Sequence, residues 1–217
     1  MELIAKFIDV LVHLDRHLLD IAREYGPGVY AFLFLIVFCE TGLVITPFLP
    51  GDSLLFVAGA LAAGGVMNIH LLVLVLIIAA VLGDSLNFAI GRWIGPRVFR
   101  YDDSWFFKKA YIERTHRYFE RYGGRTIIIA RFVPVVRTYA PFVAGVGQMD
   151  YRRFFMFNAV GGVIWVALIG YAGYLFGTVP VVQKNLTLVI FGIILLSISP
   201  AIIEVLRHKL RRAREAQ

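Results

Sequence analysis

Residues 29–63 read VYAFLFLIVFCETGLVITPFLPGDSLLFVAGALAA. A helix that spans a bilayer needs about 20 consecutive, mostly apolar residues, and neither apolar arm of this stretch has them. The first arm, Val29 to Cys39, stops at Glu40-Thr41-Gly42, and the second, Leu54 to Ala63, begins only after Pro47-Phe48-Leu49-Pro50-Gly51-Asp52. Residues 126–147, TIIIARFVPVVRTYAPFVAGVG, repeat the plan: Thr126 to Ala130 and Pro141 to Gly147 flank Arg131-Phe132-Val133-Pro134-Val135-Val136-Arg137. Irregular backbone at membrane depth is tolerated only where it is buried in protein or lines a cavity. Both stretches are therefore expected to be re-entrant helical hairpins, broken at Pro47, Pro50 and Gly51 in the first and at Pro134 and Pro141 in the second.

The membrane setting follows from composition. Of 217 residues, 59% are hydrophobic and only 17% charged, with a mean hydropathy of +0.74. Soluble domains carry about 25% charged residues, and a globule of this size could not bury so much apolar side chain. The same numbers exclude disorder and a collagen-like repeat, and a single cysteine, Cys39, excludes a disulfide scaffold. The net charge of +7 is read as Lys/Arg-rich cytoplasmic segments beside anionic lipid, and no nucleic-acid partner is expected. No metal set is expected among the five histidines; His13, His17 and Asp20 are read as a solvated polar face. Acidic and basic residues from Glu2 to Asp20 break any signal-peptide core. Leu3, Ile4, Phe7, Val10, Leu11, Leu14, Leu18 and Ile21 follow helical spacing, which suits an amphipathic helix at the membrane interface.

Three segments are long enough to cross: His70 to Arg92, which carries Asp84 and Asn87, then Phe154 to Phe176, and Leu186 to Leu206 with Pro200 inside it. Lys and Arg crowd the stretch from Arg92 to Arg125, the pair Arg152-Arg153 and the tail after Leu206, whereas the Thr178 to Asn185 loop has only Lys184. If Thr126 to Gly147 re-enters instead of crossing, every basic cluster falls on the cytoplasmic side, as the positive-inside bias requires. The fold class expected is thus an all-α polytopic membrane protein. It is an inverted repeat of amphipathic helix, re-entrant hairpin and transmembrane helix (residues 1–95 and 96–180), plus a C-terminal transmembrane helix and basic tail (181–217). Phe56-Val57-Ala58-Gly59 recurs as Phe142-Val143-Ala144-Gly145, and inverted repeats with broken helices meeting at midplane are the plan of many secondary transporters.

Four ionisable groups sit at the broken centres: Glu40, Asp52, Arg131 and Arg137. Each charge near the bilayer centre costs about 2.5–3.5 kcal/mol, and an opposite-charge pair at about 4 Å recovers about 4 kcal/mol at an effective dielectric near 20. The acidic hairpin is therefore expected to face the basic one in two pairs that sum to zero charge. Protonating both carboxylates would leave two guanidinium forks able to grip phosphate oxygens in a bidentate way that Lys cannot copy. The expectation is a proton-coupled carrier of an anionic, phosphate-bearing substrate. Glu40, Asp52 and Asp84 are its proton-coupling groups, with Asp84 equally readable as a buried brace, and Arg131 and Arg137 are its phosphate-binding groups. Glu113, Arg117, Glu120 and Arg121 read as ion pairs on a solvated helical face. Gly161, Gly162, Gly170 and Gly173 read as sites of close helix packing, and Trp165 as a lipid-facing or packing group.

Glu40-Thr41-Gly42 leading to Pro47-Phe48-Leu49-Pro50-Gly51-Asp52, with Gly83-Asp84, Gly91-Arg92-Trp93-Ile94-Gly95, Gly124-Arg125 and Arg131-Phe132-Val133-Pro134-Val135-Val136-Arg137, resembles the DedA family of bacterial inner-membrane proteins. The likeness covers roughly residues 25 to 180. Phe88 stands at or near a position where many relatives carry Tyr. The resemblance implies a multi-pass inner-membrane protein with a cytoplasmic C-terminus, linked to envelope integrity, to the proton motive force and to recycling of undecaprenyl phosphate. It also implies a functional requirement for acidic and arginine residues that map onto Glu40, Asp52, Arg131 and Arg137. Its expected partners are membrane lipids, a polyprenyl phosphate substrate and protons, and a homo-oligomer is compatible with the sequence.

Two rival transport readings stand beside this one. A proton–cation antiporter would use Glu40, Asp52 and Asp84 to hold the ion and would tolerate Lys for either arginine. A lipid scramblase would ignore the proton gradient. An enzyme is not expected, because a membrane phosphatase needs a nucleophile with its acid–base partner and none of the five histidines falls in a hairpin centre, and neither a catalytic residue, a metal nor a cofactor is assigned.

Overall fold

The computed structural model describes residues 14–43, 51–98 and 124–180, together with residues 182 and 192. Among the described residues there are seven helices and no strand. They are α1 Leu14–Tyr25, α2 Gly28–Gly42, α3 Gly51–Ala63, α4 Ile69–Val98, α5 Arg125–Ala130, α6 Pro134–Val146 and α7 Tyr151–Phe176. At 1.5 Å per residue, α4 and α7 reach about 45 and about 39 Å, enough for a hydrocarbon core about 30 Å thick. These two are long and apolar enough to cross a membrane. The four helices at the candidate hairpins have 15, 13, 6 and 13 residues, so the longest is about 22 Å and none crosses alone.

The boundaries correct several expectations. Helix α2 runs through Glu40 and Thr41 and ends at Gly42, so the break comes later than the charged tripeptide. Gly51 opens α3, and Pro134 opens α6 after an extended Val133, where its missing N–H leaves no helical bond unmade. Pro141 does not break its arm but sits inside α6. Its ring fixes φ near the helical value, while the missing N–H and the crowding of the ring against the Arg137 carbonyl one turn back weaken that turn without ending the helix. Arg152 and Arg153 belong to the first turn of α7, where Asp150 caps the helix by accepting from the Arg153 N–H at 3.0 Å. Pro47 and Pro50 lie outside the described residues, as do most of the N-terminal amphipathic stretch, residues 99–123, all of the Leu186 to Leu206 segment but Gly192, and the basic tail. The described part of the N-terminal stretch, α1, buries Leu18 and Ala22 against α2 and α3 and leaves Asp20 and Glu24 exposed.

Side-chain contacts fix the running directions. His70 at the start of α4 bonds Tyr171 near the end of α7 (Nδ1 to Oη, 2.8 Å), and Phe88 late in α4 stacks on Phe154 early in α7 at 4.3 Å. The two long helices are therefore antiparallel. Helix α3 lies along α7 in the same direction, with Asp52 beside Trp165 and Phe56 beside Gly173. Helix α6 lies along α4 in the same direction, with Thr138 beside Asn87 and Phe142 beside Gly91. Helices α2 and α5 likewise follow α4 and α7, so α2 opposes α3 and α5 opposes α6. Each pair is an antiparallel hairpin with its arms spread over different long helices.

The two Phe-Val-Ala-Gly segments do the same job in this arrangement. A side chain at Gly59 would strike the Gly170 carbonyl, and one at Gly173 the Phe56 carbonyl. A side chain at Gly145 would strike the Phe88 carbonyl, and one at Gly91 the Phe142 carbonyl. Both contacts pair a Phe carbonyl and a Gly three residues on with two α4 or α7 positions also three apart, so one helical turn of each backbone lies against one turn of the other. Gly170 and Gly173 thus take the close-packing role read from the sequence. Leu33, Leu55, Leu72, Leu76 and Val166 fill the interior, whereas Leu35, Leu74, Met156, Leu168 and Leu175 point outward. An outward apolar surface suits lipid, where apolar exposure carries no penalty.

Candidate functional site

Six polar or charged side chains from six segments meet between the hairpins and the long helices. Glu40 lies in the last turn of α2, Asp52 in the first turn of α3, Asp84 mid-α4, Arg131 follows α5, Arg137 lies one turn into α6 and Asn158 lies two turns into α7. The local sequence explains the placement. The α2 end reaches Asp84's neighbourhood because Gly83 has no side chain: a Cβ there would strike Thr41 Oγ1 and crowd the Phe38 carbonyl. Thr41 in turn folds its hydroxyl back onto the Val37 carbonyl at 2.9 Å, satisfying a buried polar group within its own helix.

The charges sort into two clusters. Arg137 spans two carboxylates, with Nη2 2.6 Å from Glu40 Oε1 and Nη1 2.8 Å from Asp52 Oδ1. Glu40 Oε1 also accepts from the Gly51 N–H at 3.3 Å, and a Cβ on Gly51 would collide with the Glu40 carboxylate. Arg131 pairs instead with Asp84 through Nη2, which also donates to Asn158 Oδ1 at 2.7 Å. Asn158 Nδ2 completes this cluster by donating to the Val81 carbonyl at 3.1 Å. One helical turn from Asp84, Asn87 donates to the carbonyls of Thr41 and Thr138 at 3.1 and 2.8 Å, tying both hairpins to α4.

This pairing corrects the expected one. Both carboxylates of the acidic hairpin pair with Arg137, and the counter-charge of Arg131 comes from the long helix. Formal charge is zero at Arg131–Asp84 and −1 at Arg137 with Glu40 and Asp52. Glu40, Asp84 and Arg131 are no more than 3% exposed, whereas the Asp52 side chain is 17% exposed. Buried charges are held only when paired and hydrogen-bonded, and the partners above meet most of that demand. Glu40 Oε2, Asp84 Oδ1 and Arg131 Nη1 have no hydrogen-bond partner among the described residues. Each carboxylate therefore keeps one oxygen on which a proton can reside.

Trp165 lies between the clusters, not against lipid. It is 1% exposed, its Nε1–H donates to Asp52 Oδ1 at 2.9 Å, and its ring centroid is 4.7 Å from Arg137 Cζ and 5.8 Å from Arg131 Cζ. Both distances fall within the reach of a cation–π attraction. Gly162, beside Arg131 Nη1, and Gly161, beside its side-chain stem, leave room for that guanidinium. Sequence reasoning missed Asn158 and Trp165 as members of the site. The available signal was spacing: Asn158 is a polar residue inside an apolar helix, and Trp165 lies seven residues on, along the same face. Phe88 is buried and stacked on Phe154. Among the described residues, no three His, Cys, Asp or Glu side chains gather closely enough to hold a metal ion.

Known proteins are similar to this chain in sequence. The VTT domain family model matches residues 49–175. Protein DedA of Escherichia coli K12 is 55% identical over the full length of both chains. A membrane protein of Mycobacterium tuberculosis is 46% identical over 87% of this chain and 84% of its own. The inner membrane protein YqjA of E. coli K12 is 36% identical over 85% of this chain and 83% of its own. No solved structure matches the chain.

Proposed function

The chain belongs to the DedA family of VTT-domain membrane proteins, and from that premise we propose that it is a proton-coupled carrier that moves the head group of undecaprenyl phosphate across the inner membrane. The observation that carries the reading is the grip of Glu40 and Asp52 on Arg137. With both carboxylates ionised, the Arg137 fork is occupied and the cluster is net negative, so it repels an anion. Two protons convert it to a single positive charge with two parallel N–H donors exposed, which is the geometry that phosphate oxygens accept. A carboxylate whose hydration changes during transport can change its protonation, which links the proton gradient to substrate binding. The polyprenyl tail stays in the bilayer while the charged head passes, so only a small polar path is required and no bond is made or broken.

In this reading the two hairpins are re-entrant halves of an inverted repeat, entering from opposite faces. Supporting it are the antiparallel α4 and α7, the reciprocal Phe-Val-Ala-Gly contacts and hairpin helices too short to cross. The positive-inside bias puts the C-terminus in the cytoplasm. Among the carboxylates that an antiporter would use, Asp84 is engaged by Arg131, apart from Glu40 and Asp52, which favours the phosphate reading over cation exchange.

The test is head-group translocation of labelled undecaprenyl phosphate in proteoliposomes of the purified protein, with and without an imposed pH gradient. Gradient-dependent flipping is expected. Flipping that ignores the gradient would identify a scramblase, and no flipping by protein that exchanges cations for protons would identify an antiporter.

A further inference from the structure

Arg137 has a third holder that does not titrate. We propose that Trp165 is a positioning residue that keeps the Arg137 guanidinium in place when Glu40 and Asp52 let go of it, and that its indole N–H senses the state of Asp52. The proposal rests on the carrier reading above and names the residue that makes the freed fork usable.

The geometry behind it is a shared acceptor. Asp52 Oδ1 takes one hydrogen bond from Arg137 Nη1 and a second from Trp165 Nε1, while the same indole faces the Arg137 guanidinium. A guanidinium released by two protonated acids would otherwise swing on a flexible stem, and re-ordering that stem would weaken ligand binding. Attraction to the ring's negative face persists at any pH. It engages the ring face and uses neither the Nη1 nor the Nη2 hydrogen bond to the acids, so those N–H groups stay open to phosphate oxygens once the acids release them. The indole itself is fixed by burial: α3 lies along α7 at van der Waals distance through Gly59 and Gly170. Among the described residues, the charged groups around Asp52 include Glu40 from α2, Arg137 from α6 and, through the Trp165 ring, Arg131 after α5 with its partner Asp84 on α4.

Trp93, Trp105 and Trp165 are the three tryptophans of the chain, so the full-length protein carrying Trp93→Phe and Trp105→Phe reports on Trp165 alone. In lipid nanodiscs its emission should shift as pH falls. The shift should vanish in Asp52→Asn and persist in Asp20→Asn, an exposed control on α1. Emission that is independent of pH, or that shifts equally in Asp52→Asn, overturns the proposal. At acid pH, binding of labelled undecaprenyl phosphate should weaken between about twofold and about thirtyfold in Trp165→Leu, the range a cation–π contact supplies, and stay near wild type in Trp165→Phe, which keeps the ring. Equal loss in both variants would also overturn it. An Asp52-dependent emission shift with no discrimination between undecaprenyl phosphate and undecaprenol would leave the role of Trp165 standing and overturn the phosphate-carrier reading instead.

Discussion

Arg137 and Glu40 are 97 residues apart in the chain and 2.6 Å apart in the fold, so a single ion pair ties the end of α2 to the first turn of α6. Removing one side of a buried, hydrogen-bonded charge cluster leaves the other uncompensated, which typically costs about 3–5 kcal/mol. Arg137→Ala strands two carboxylates and should lower the thermal unfolding midpoint of the purified protein sharply. Arg137→Lys should recover part of that stability but not transport, because one ammonium cannot present the fork that spans two acceptors. Unfolding curves and lipid flipping measured on the same preparations check both halves of this expectation.

Gly51 is the next point of sensitivity. Its α-carbon lies so close to the Glu40 carboxylate that a methyl group cannot fit without moving it. Gly51→Ala should therefore destabilise by about 1–3 kcal/mol, the usual cost of overpacking. It should also mimic Glu40→Gln in its transport phenotype, since the displaced carboxylate loses Arg137. A variant that transports like wild type would show that Glu40 can hold Arg137 from another position.

The sequence located the ionisable groups because a charge in an apolar run is conspicuous, and it found both long helices from length and hydropathy alone. The expected His70 to Arg92 and Phe154 to Phe176 segments lie within Ile69–Val98 and Tyr151–Phe176. Which acid meets which arginine was not legible, because pairing depends on how hairpin arms distribute over the long helices. Two arginines six residues apart look interchangeable on paper. In the fold, Arg131 ends beside α4 and α7 and Arg137 beside α2 and α3. Trp165 packs in the core, one of the two roles read for it, but its contacts with the charges were not legible, because an indole in an apolar helix usually faces lipid or packs. Only its position between two guanidiniums reveals the N–H and the ring as separate tools.

The reciprocal glycine contacts give a stability prediction that treats the halves alike. At Gly59 and at Gly145 the obstructing atoms belong to backbone, which cannot turn aside as a flexible side chain can. Gly59→Ala and Gly145→Ala should each cost about 1–3 kcal/mol, with similar losses in thermal midpoint. A large loss in one and none in the other would count against equivalent packing of the two Phe-Val-Ala-Gly segments.

Asp84 and Arg131 should behave as a coupled pair. Asp84→Asn leaves a buried guanidinium without a counter-charge and should destabilise by about 3–5 kcal/mol. Asn158→Ala removes one neutral acceptor and should cost about 1–3 kcal/mol. Combining Asp84→Asn with Arg131→Gln should restore stability relative to Asp84→Asn alone, and a double-mutant cycle of thermal midpoints measures that coupling. Additive losses would mean that the two side chains do not depend on each other.

The most direct test of the central claim, that proton uptake at the acidic hairpin frees Arg137 for a phosphate head group, is undecaprenyl phosphate flipping by Glu40→Gln in proteoliposomes. The variant is folded if its thermal midpoint stays close to wild type, and a permanently neutral side chain at position 40 holds Arg137 less firmly. Flipping should persist in this variant while losing most of its response to an imposed pH gradient. A wild-type response to the gradient in Glu40→Gln would contradict the account.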